Sequence, residues 1–402
     1  MTSTSSSLAT PIPAAEYQQR RSRLLAHLDD LNAACYVWWG NAYIFYLCGF
    51  AFVPTERPIA LVISDDDTVL FVPRLEVEHA QAYAHVDRVV SYPEYPDATH
   101  PMTHLADLLT DLGYGGEAFA GDGDGYGRVM GYRGPKLSDE TGGSHRSAID
   151  LIEAMMQVKS DHEIALIRES ARWASVAHRM LQDLTRVGLS ETEVMMQVSQ
   201  GAYRELIGTY GDAYRALSWG SGGPMATYRG QIGKHSAFPH ALDVGLRFQE
   251  GDTLVTGATC PMFGYYSELE RTMFVGAPSD AQRTYFGHML TLQDLAIDAC
   301  RVGETGSSVD HKVRDYFAEY NLEDYWRHHT GHNIGVRYHE GPFLDVGDDT
   351  VIEAGMLFTV EPGIYVEGLG GFRHSDTIVV TEAGPEFLTE YPRDLESLIL
   401  PV

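Results

Sequence analysis

GYYSELERT, Gly264–Thr272, is the stretch whose reading decides the fold. It is read together with TGHNIG, Thr330–Gly335, and VEPG, Val360–Gly363. The first lies in a β-rich segment, 252–275, and the last in a second one, 356–381. Together they bring in Glu268, Glu270, His332 and Glu361, with His339 seven residues after His332 in GHNIGVRYHEGP and His240 upstream. A binding or scaffold protein has no chemical need for His240, Glu270, His332, His339 and Glu361 in such blocks, so an enzyme is expected over a catalytically silent binding protein.

Outward from these blocks, the texture of the chain changes at Lys159. KSDHEIALIRESARWASVAHRML spaces Ile164, Ile167, Ala171, Ala174 and Ala177 as a helix does, with Asp161 near its start. Ser190 and Glu193 fit a capping box and open a second helix. VGLSETEVMMQV at 187–198 is echoed by VGETGSSVDHKV at 302–313, an internal repeat of Val-Gly, a polar capping stretch and an amphipathic start. Residues 14–157 read as an α/β domain. A helix is expected over Tyr17–Leu28 and strands over Ala34–Trp38, Ile59–Ser64 and Thr68–Val72, the last two joined by a turn at Asp65–Asp67. GDGDGYG at 121–127 lacks the Walker lysine and the GxGxxG spacing, so it reads as a loop. Residues 1–13 read as a loose tail with neither the basic nor the apolar region of a signal peptide.

The 402 residues are enough for two domains. Lys plus Arg total 29 against 56 Asp plus Glu, a net charge of −27. Such a surface repels nucleic acid and anionic membranes, so neither is an expected partner. No apolar run is long enough to span a bilayer. Cys35, Cys48, Cys260 and Cys300 are widely spaced in apolar surroundings and read as reduced, buried thiols of a cytoplasmic protein.

The quoted blocks resemble the active-site segments of the pita-bread hydrolases: methionine and Xaa-Pro aminopeptidases, prolidases and creatinase. The resemblance implies an α+β fold, with a creatinase-type α/β N-terminal domain at 14–157 and a pita-bread catalytic domain at 158–402. In metal-dependent members five side chains hold two divalent ions, about 3.5–4 Å apart, and an activated water. Carried onto this chain, the five positions are Gly257, Glu268, His332, Glu361 and Ser375. Gly257 and Ser375 stand where carboxylates are expected, so the two-ion centre is expected to be lost. A single divalent ion (Mn, Fe, Co or Zn) on Glu268, His332 and Glu361, aided by His374, is the alternative to a centre with no metal.

CPMFGYYSELERT resembles the segment of creatinase, a metal-free branch of this fold. That resemblance implies His240 as general base and acid, with Glu270 and Glu361 gripping a guanidinium-like substrate and His332 and His339 lining the pocket. Histidine is the natural base near pH 7 when no metal activates water. Arg373 and Asp376 resemble structural members of the last strand, and Arg271 resembles a partner that holds Glu268 or Glu270. Phe52 and Arg57, in GFAFVPTERP, fall in a segment that reaches the partner's site in dimeric members. Phe52, Arg57, Glu268 and Arg373 are therefore candidates for substrate binding in a homodimer. YPDATHPMTHLADLL at 93–107 resembles ectoine hydrolases and points to a small charged metabolite. The expectation is a metal-free, creatinase-like hydrolase that cleaves a C–N bond in a small charged amide, amidine or guanidino compound. The alternative is a divergent Xaa-Pro dipeptidase or aminopeptidase with one ion, favoured by the GHxxG…HE and EPG blocks, Glu340 included.

Overall fold

The computed structural model describes residues 8–218, 220–242 and 245–402. The backbone divides into two compact units, Ile12–Met156 and Gln157–Val402, the latter joined by the N-terminal residues up to Pro11. The expected loose tail falls largely outside the described residues. Ala9 within it donates its N–H to the Tyr210 hydroxyl. Among the described residues no helix is long and apolar enough to cross a membrane, and all four cysteines are buried and free.

The N-terminal unit is built on a six-stranded sheet in the order Arg88–Tyr92, Thr68–Pro73, Ala60–Ile63, Cys35–Trp38, Ala118–Gly121, Ser144–Ser147. Ala60–Ile63 and Thr68–Pro73 form the expected antiparallel hairpin. Ser64 and Asp67 close its turn, the Ser64 N–H donating to the Asp67 carbonyl. Cys35–Trp38, Ala118–Gly121 and Ser144–Ser147 run parallel and are reached through helices such as Pro101–Asp111, as parallel pairing requires. The glycine-rich run is a loop after Ala118–Gly121. Asp122 in that loop accepts from the N–H groups of Trp39 and Gly40.

In the catalytic unit, Asp161–Leu184 and Glu191–Tyr210 both begin at capping boxes, Ser160 with Glu163 and Ser190 with Glu193. The internal repeat marks equivalent places, because the second copy opens the helix Gly306–Glu319 behind Thr305 and Ser308. Ala174, Ala177 and Leu181 of the first helix lie fully buried in a core shared with Leu254, Leu269 and Ile378. An apolar stripe on a capped helix thus covers one face of the sheet.

That sheet is antiparallel, in the order Glu340–Leu344, Gly331–Asn333, Leu357–Val360, Ser375–Thr381, Leu269–Glu270, Gly257–Thr259, Met225–Thr227, with Gly384–Phe387 paired to Ser375–Thr381. Glu270 pairs with Ser375, Leu269 with both Asp376 and Ala258, and Thr227 with Gly257. This register collects segments separated by more than a hundred residues. The fully buried Arg271 locks it. Its guanidinium pairs with Asp376 at 2.8 Å and donates to the carbonyls of Glu270, Ser375 and Tyr391. Arg271 thus holds strands together through Asp376 and not through the side chains of Glu268 or Glu270.

Candidate metal centre

Glu268, just before Leu269–Glu270, His332 in Gly331–Asn333, and Glu361, just after Leu357–Val360, are brought together in the catalytic unit. One ligand atom from each lies within 4.8 Å of the others, and all three residues are buried. The backbone N–H of Glu361 donates to the Thr330 carbonyl at 2.8 Å, which ties it to the strand of His332. His332 Nδ1 is 2.9 Å from the Asn333 carbonyl. That contact fixes the tautomer and leaves Nε2 for the centre. Nε2 is at ion-pair distance, 3.3 Å, from Glu361 Oε1 and forms no regular hydrogen bond. Ser375 does not leave a gap where a carboxylate was expected. Its hydroxyl donates to Glu268 Oε1 at 2.6 Å.

The charges show what this arrangement needs. Burial pushes the Glu268 carboxyl up to about 8, with the negative charges of Glu361 and Glu270 adding to the effect. Burial opposes charge on Glu361 as well, but His332 and Arg373 hold it well below the usual carboxylate range. Burial also works against imidazolium at His332, and contact with Glu361 and the charge of Glu268 override it, pushing the ring up to about 9. Without an ion, burial and the neighbouring carboxylates thus favour a proton on Glu268 and one on His332. A divalent cation carries the same charge and would displace both. One imidazole nitrogen and two carboxylates fit a single Zn, Mn, Fe or Co ion.

The other expected residues divide between this cluster and other places. Glu270 is clamped by two guanidinium groups: Arg229 Nη2 donates to Oε1 at 2.9 Å and Arg373 Nε donates to Oε2. Arg373 also donates to the Tyr365 hydroxyl at 3.0 Å and stands 3.7 Å from Glu361 Oε2. Both Glu270 carboxylate oxygens are thus occupied. His339 stacks on His332, ring centroids 3.8 Å apart, and burial holds it down to about 4, with the His332 charge adding. His240 is exposed in a turn, close enough for its charge to act on His339. Glu340 is buried and paired with Lys159 at 2.9 Å, an anchoring role. His374 does not help the ligands. Its Nδ1 accepts from the Thr272 N–H, and its Nε2 is 3.1 Å from the Arg393 carbonyl.

Phe52 and Arg57 belong to the N-terminal unit. There Phe52 stacks on Phe50, and Arg57 pairs with Glu56 and Glu94. Sequence reasoning missed Arg229, which no motif marks. It also missed Lys159, whose ammonium donates to Asn333 Oδ1 and Glu340 Oε2.

The sequence model of metallopeptidase family M24 matches residues 165–382, and that of the creatinase/prolidase N-terminal domain matches residues 20–133. The chain is 28% identical over 335 residues to the Xaa-Pro dipeptidase of Pyrococcus furiosus, covering 83% of this chain and 88% of that protein. It is 27% identical over 382 residues to the Xaa-Pro dipeptidase of Pyrococcus horikoshii, covering 94% and 98%. Among solved structures, the Xaa-Pro dipeptidase from Bacillus anthracis superposes with a TM-score of 0.79 at 26% identity, covering 96% of this chain and 100% of that one. A dipeptidase from Mycobacterium ulcerans gives a TM-score of 0.80 at 26% identity, covering 98% and 100%. These findings overturn the expectation of a centre with no metal: the match is to a metallopeptidase family, and Glu268, His332 and Glu361 form a ligand set. They also favour peptide-bond hydrolysis over cleavage of a guanidino compound.

Proposed function

We propose that this chain, which belongs to metallopeptidase family M24, is a one-ion dipeptidase that hydrolyses the bond before a C-terminal proline. The observation that carries the reading is the buried Glu268–His332–Glu361 set, whose ligand atoms lie within 4.8 Å of one another. The Xaa-Pro dipeptidases to which the chain is similar supply the substrate class.

Glu268, His332 and Glu361 would hold the ion. When bound, it supplies Lewis acidity to a peptide carbonyl and makes water a better nucleophile at neutral pH. The protein orients the donors. The Ser375 hydroxyl turns Glu268 Oε1, and the Asn333 carbonyl turns the His332 ring. Arg373 faces Glu361 Oε2 and keeps that carboxylate ionised. His339, stacked on His332 and held neutral by burial, can hydrogen-bond the substrate but does not carry its proton at neutral pH. His240, exposed in a turn and within electrostatic reach of His339, is the candidate to bring a proton to the departing nitrogen and exchange it with solvent.

Elemental analysis by mass spectrometry together with Xaa-Pro dipeptide hydrolysis tests the reading. The purified chain is expected to carry about one equivalent of Mn, Fe, Co or Zn. Chelation should abolish turnover and one added equivalent should restore it. A metal-free protein that cleaves creatine or a small amide at full rate after chelation would overturn the reading.

A further inference from the structure

Only one of the two family ion positions fits this chain. The side that would need carboxylates at 257 and 375 has a glycine and a serine, and the serine hydroxyl is engaged by Glu268. Gly257 is not demanded by the backbone, since its φ lies outside the left-handed region. A Cβ built on it meets Glu270 Oε1 at 3.4 Å and Arg229 Cζ and Nε at 3.8 Å, ordinary contact distances. A carboxylate projecting from that Cβ would meet the Arg229 guanidinium and pair with it in place of an ion.

Arg229 is set there deliberately by its surroundings. It follows the edge strand Met225–Thr227, whose Thr227 pairs with Gly257. Its φ is +52°, a left-handed conformation that is unfavourable for a non-glycine residue. The Thr227 hydroxyl accepts its backbone N–H at 3.1 Å, and Glu191 accepts the N–H of Gly230 at 2.9 Å. Nη2 donates to Glu270 Oε1 at 2.9 Å and Gln231 Oε1 at 3.1 Å. Nε is buried with no partner, although the side chain as a whole is 36% exposed. The part of the side chain that solvent reaches lies beyond the buried Nε, so the free guanidinium donors stand where a substrate oxygen can approach.

We propose that Arg229 is a substrate-contacting residue that replaces the second ion, its partly exposed guanidinium standing as a fixed cation beside Gly257 and donating to an anionic oxygen of the substrate. The acceptor is either the terminal carboxylate or the carbonyl oxygen as it gains charge during attack. The assignment rests on the single-ion reading above, but its test has a readout that does not need turnover.

The ion count is measured by calorimetric titration with Mn²⁺ in the intact chain. Wild type and Arg229→Met are each expected to bind one ion, which also reports that the Arg229→Met centre is folded. The double variant Gly257→Asp/Ser375→Glu should still bind one while Arg229 is present, and two once Arg229→Met is added. A second ion in the double variant with Arg229 intact would overturn the proposal, even if no Xaa-Pro dipeptide proves to be a substrate. Steady-state kinetics on a cleaved dipeptide separate the two acceptors. A rise in KM of tenfold or more with kcat unchanged assigns Arg229 to the carboxylate. A loss of about a hundredfold in kcat assigns it to the carbonyl oxygen. Arg229→Lys, which keeps the charge but not the fork, should recover part of either loss. Unchanged KM and kcat in Arg229→Met, with one ion bound, would remove Arg229 from the site.

Discussion

The two sides of the centre are built on neighbouring strands of one sheet and meet the same demand differently. On one side Glu268, His332 and Glu361 converge as a ligand set, with only Arg373, 3.7 Å from Glu361, supplying fixed positive charge among the contacts described. On the other side Gly257 and Ser375 offer no carboxylate, and positive charge comes from Arg229 and Arg373, which close on Glu270 from both ends. If Arg229 acts as proposed, the lack of two ligands does not empty a two-ion site. It can split the site into an exchangeable cation and a covalently tethered one.

The largest effect should come from removing an ion ligand. His332→Ala or Glu361→Gln is expected to lower the ion content from about one equivalent to below about 0.1 and kcat/KM by about a thousandfold or more, a loss typical when a catalytic metal goes. If either variant keeps full ion content, the ligand side has been drawn wrongly.

Next is a stability effect behind the arginine side. His178 is fully buried, with Nε2 2.7 Å from the hydroxyl of Thr256, the residue before Gly257. Burial, with the Arg271 charge adding, holds it down to about 3 from an ordinary 6.5. The unfolded chain therefore binds this proton first as pH falls. Stability should be complete above pH 6.5 and be lost progressively between 6.5 and about 3. Between pH 7 and pH 5 the contribution is about 2 kcal/mol. Urea midpoints of wild type and His178→Gln over that range check it: the variant should show the shallower dependence, and parallel curves would refute the assignment.

A smaller effect is expected at the seam between the two sides. Ser375→Ala leaves Glu268 without its orienting hydroxyl and should weaken ion affinity about tenfold without abolishing binding, measured by chelator competition. Unchanged affinity would show that Ser375 merely fills space. The smallest effect belongs to His240→Ala. With an ion to activate water, an exposed proton carrier is replaceable by solvent or buffer, so the loss in kcat should stay below about tenfold and shrink in added imidazole. A complete loss would return the base role to His240.

Much of the ligand side was legible because its residues sit in short, strongly patterned segments. GYYSELERT, TGHNIG and VEPG name Glu268, His332 and Glu361 through their neighbours, and the antiparallel strands around them follow from the same blocks. The arginine side was not legible, and the reason is geometric. Arg229 meets Glu270 across 41 residues of chain through the pairing of Thr227 with Gly257, and no periodic pattern records such a contact. Gly257 and Ser375 add no carboxylate to the cluster. The wrong step was to infer a metal-free centre, since three donors within 4.8 Å suffice for one ion. The family resemblance placed Arg57 and His374 near the chemistry, and the structure shows other partners for both. Arg57 is held by Glu56 and Glu94, and both His374 nitrogens face backbone groups. The capping boxes were readable at Ser190 because the cap and its partner lie three residues apart.

The link from Lys159 to Asn333 and Glu340 sets where the chain can be cut. Asn333 also donates to the Gln157 carbonyl at 3.0 Å, so the first three residues of the catalytic unit are stitched to the strands of the centre. A truncation that starts at Gln157 keeps those stitches. One that starts at Asp161, where the helix visibly begins, removes the ammonium and strands the Glu340 carboxylate in the interior, a defect of about 3–5 kcal/mol. The natural seam for excising this unit, or for grafting it onto another partner, lies four residues before its first helix.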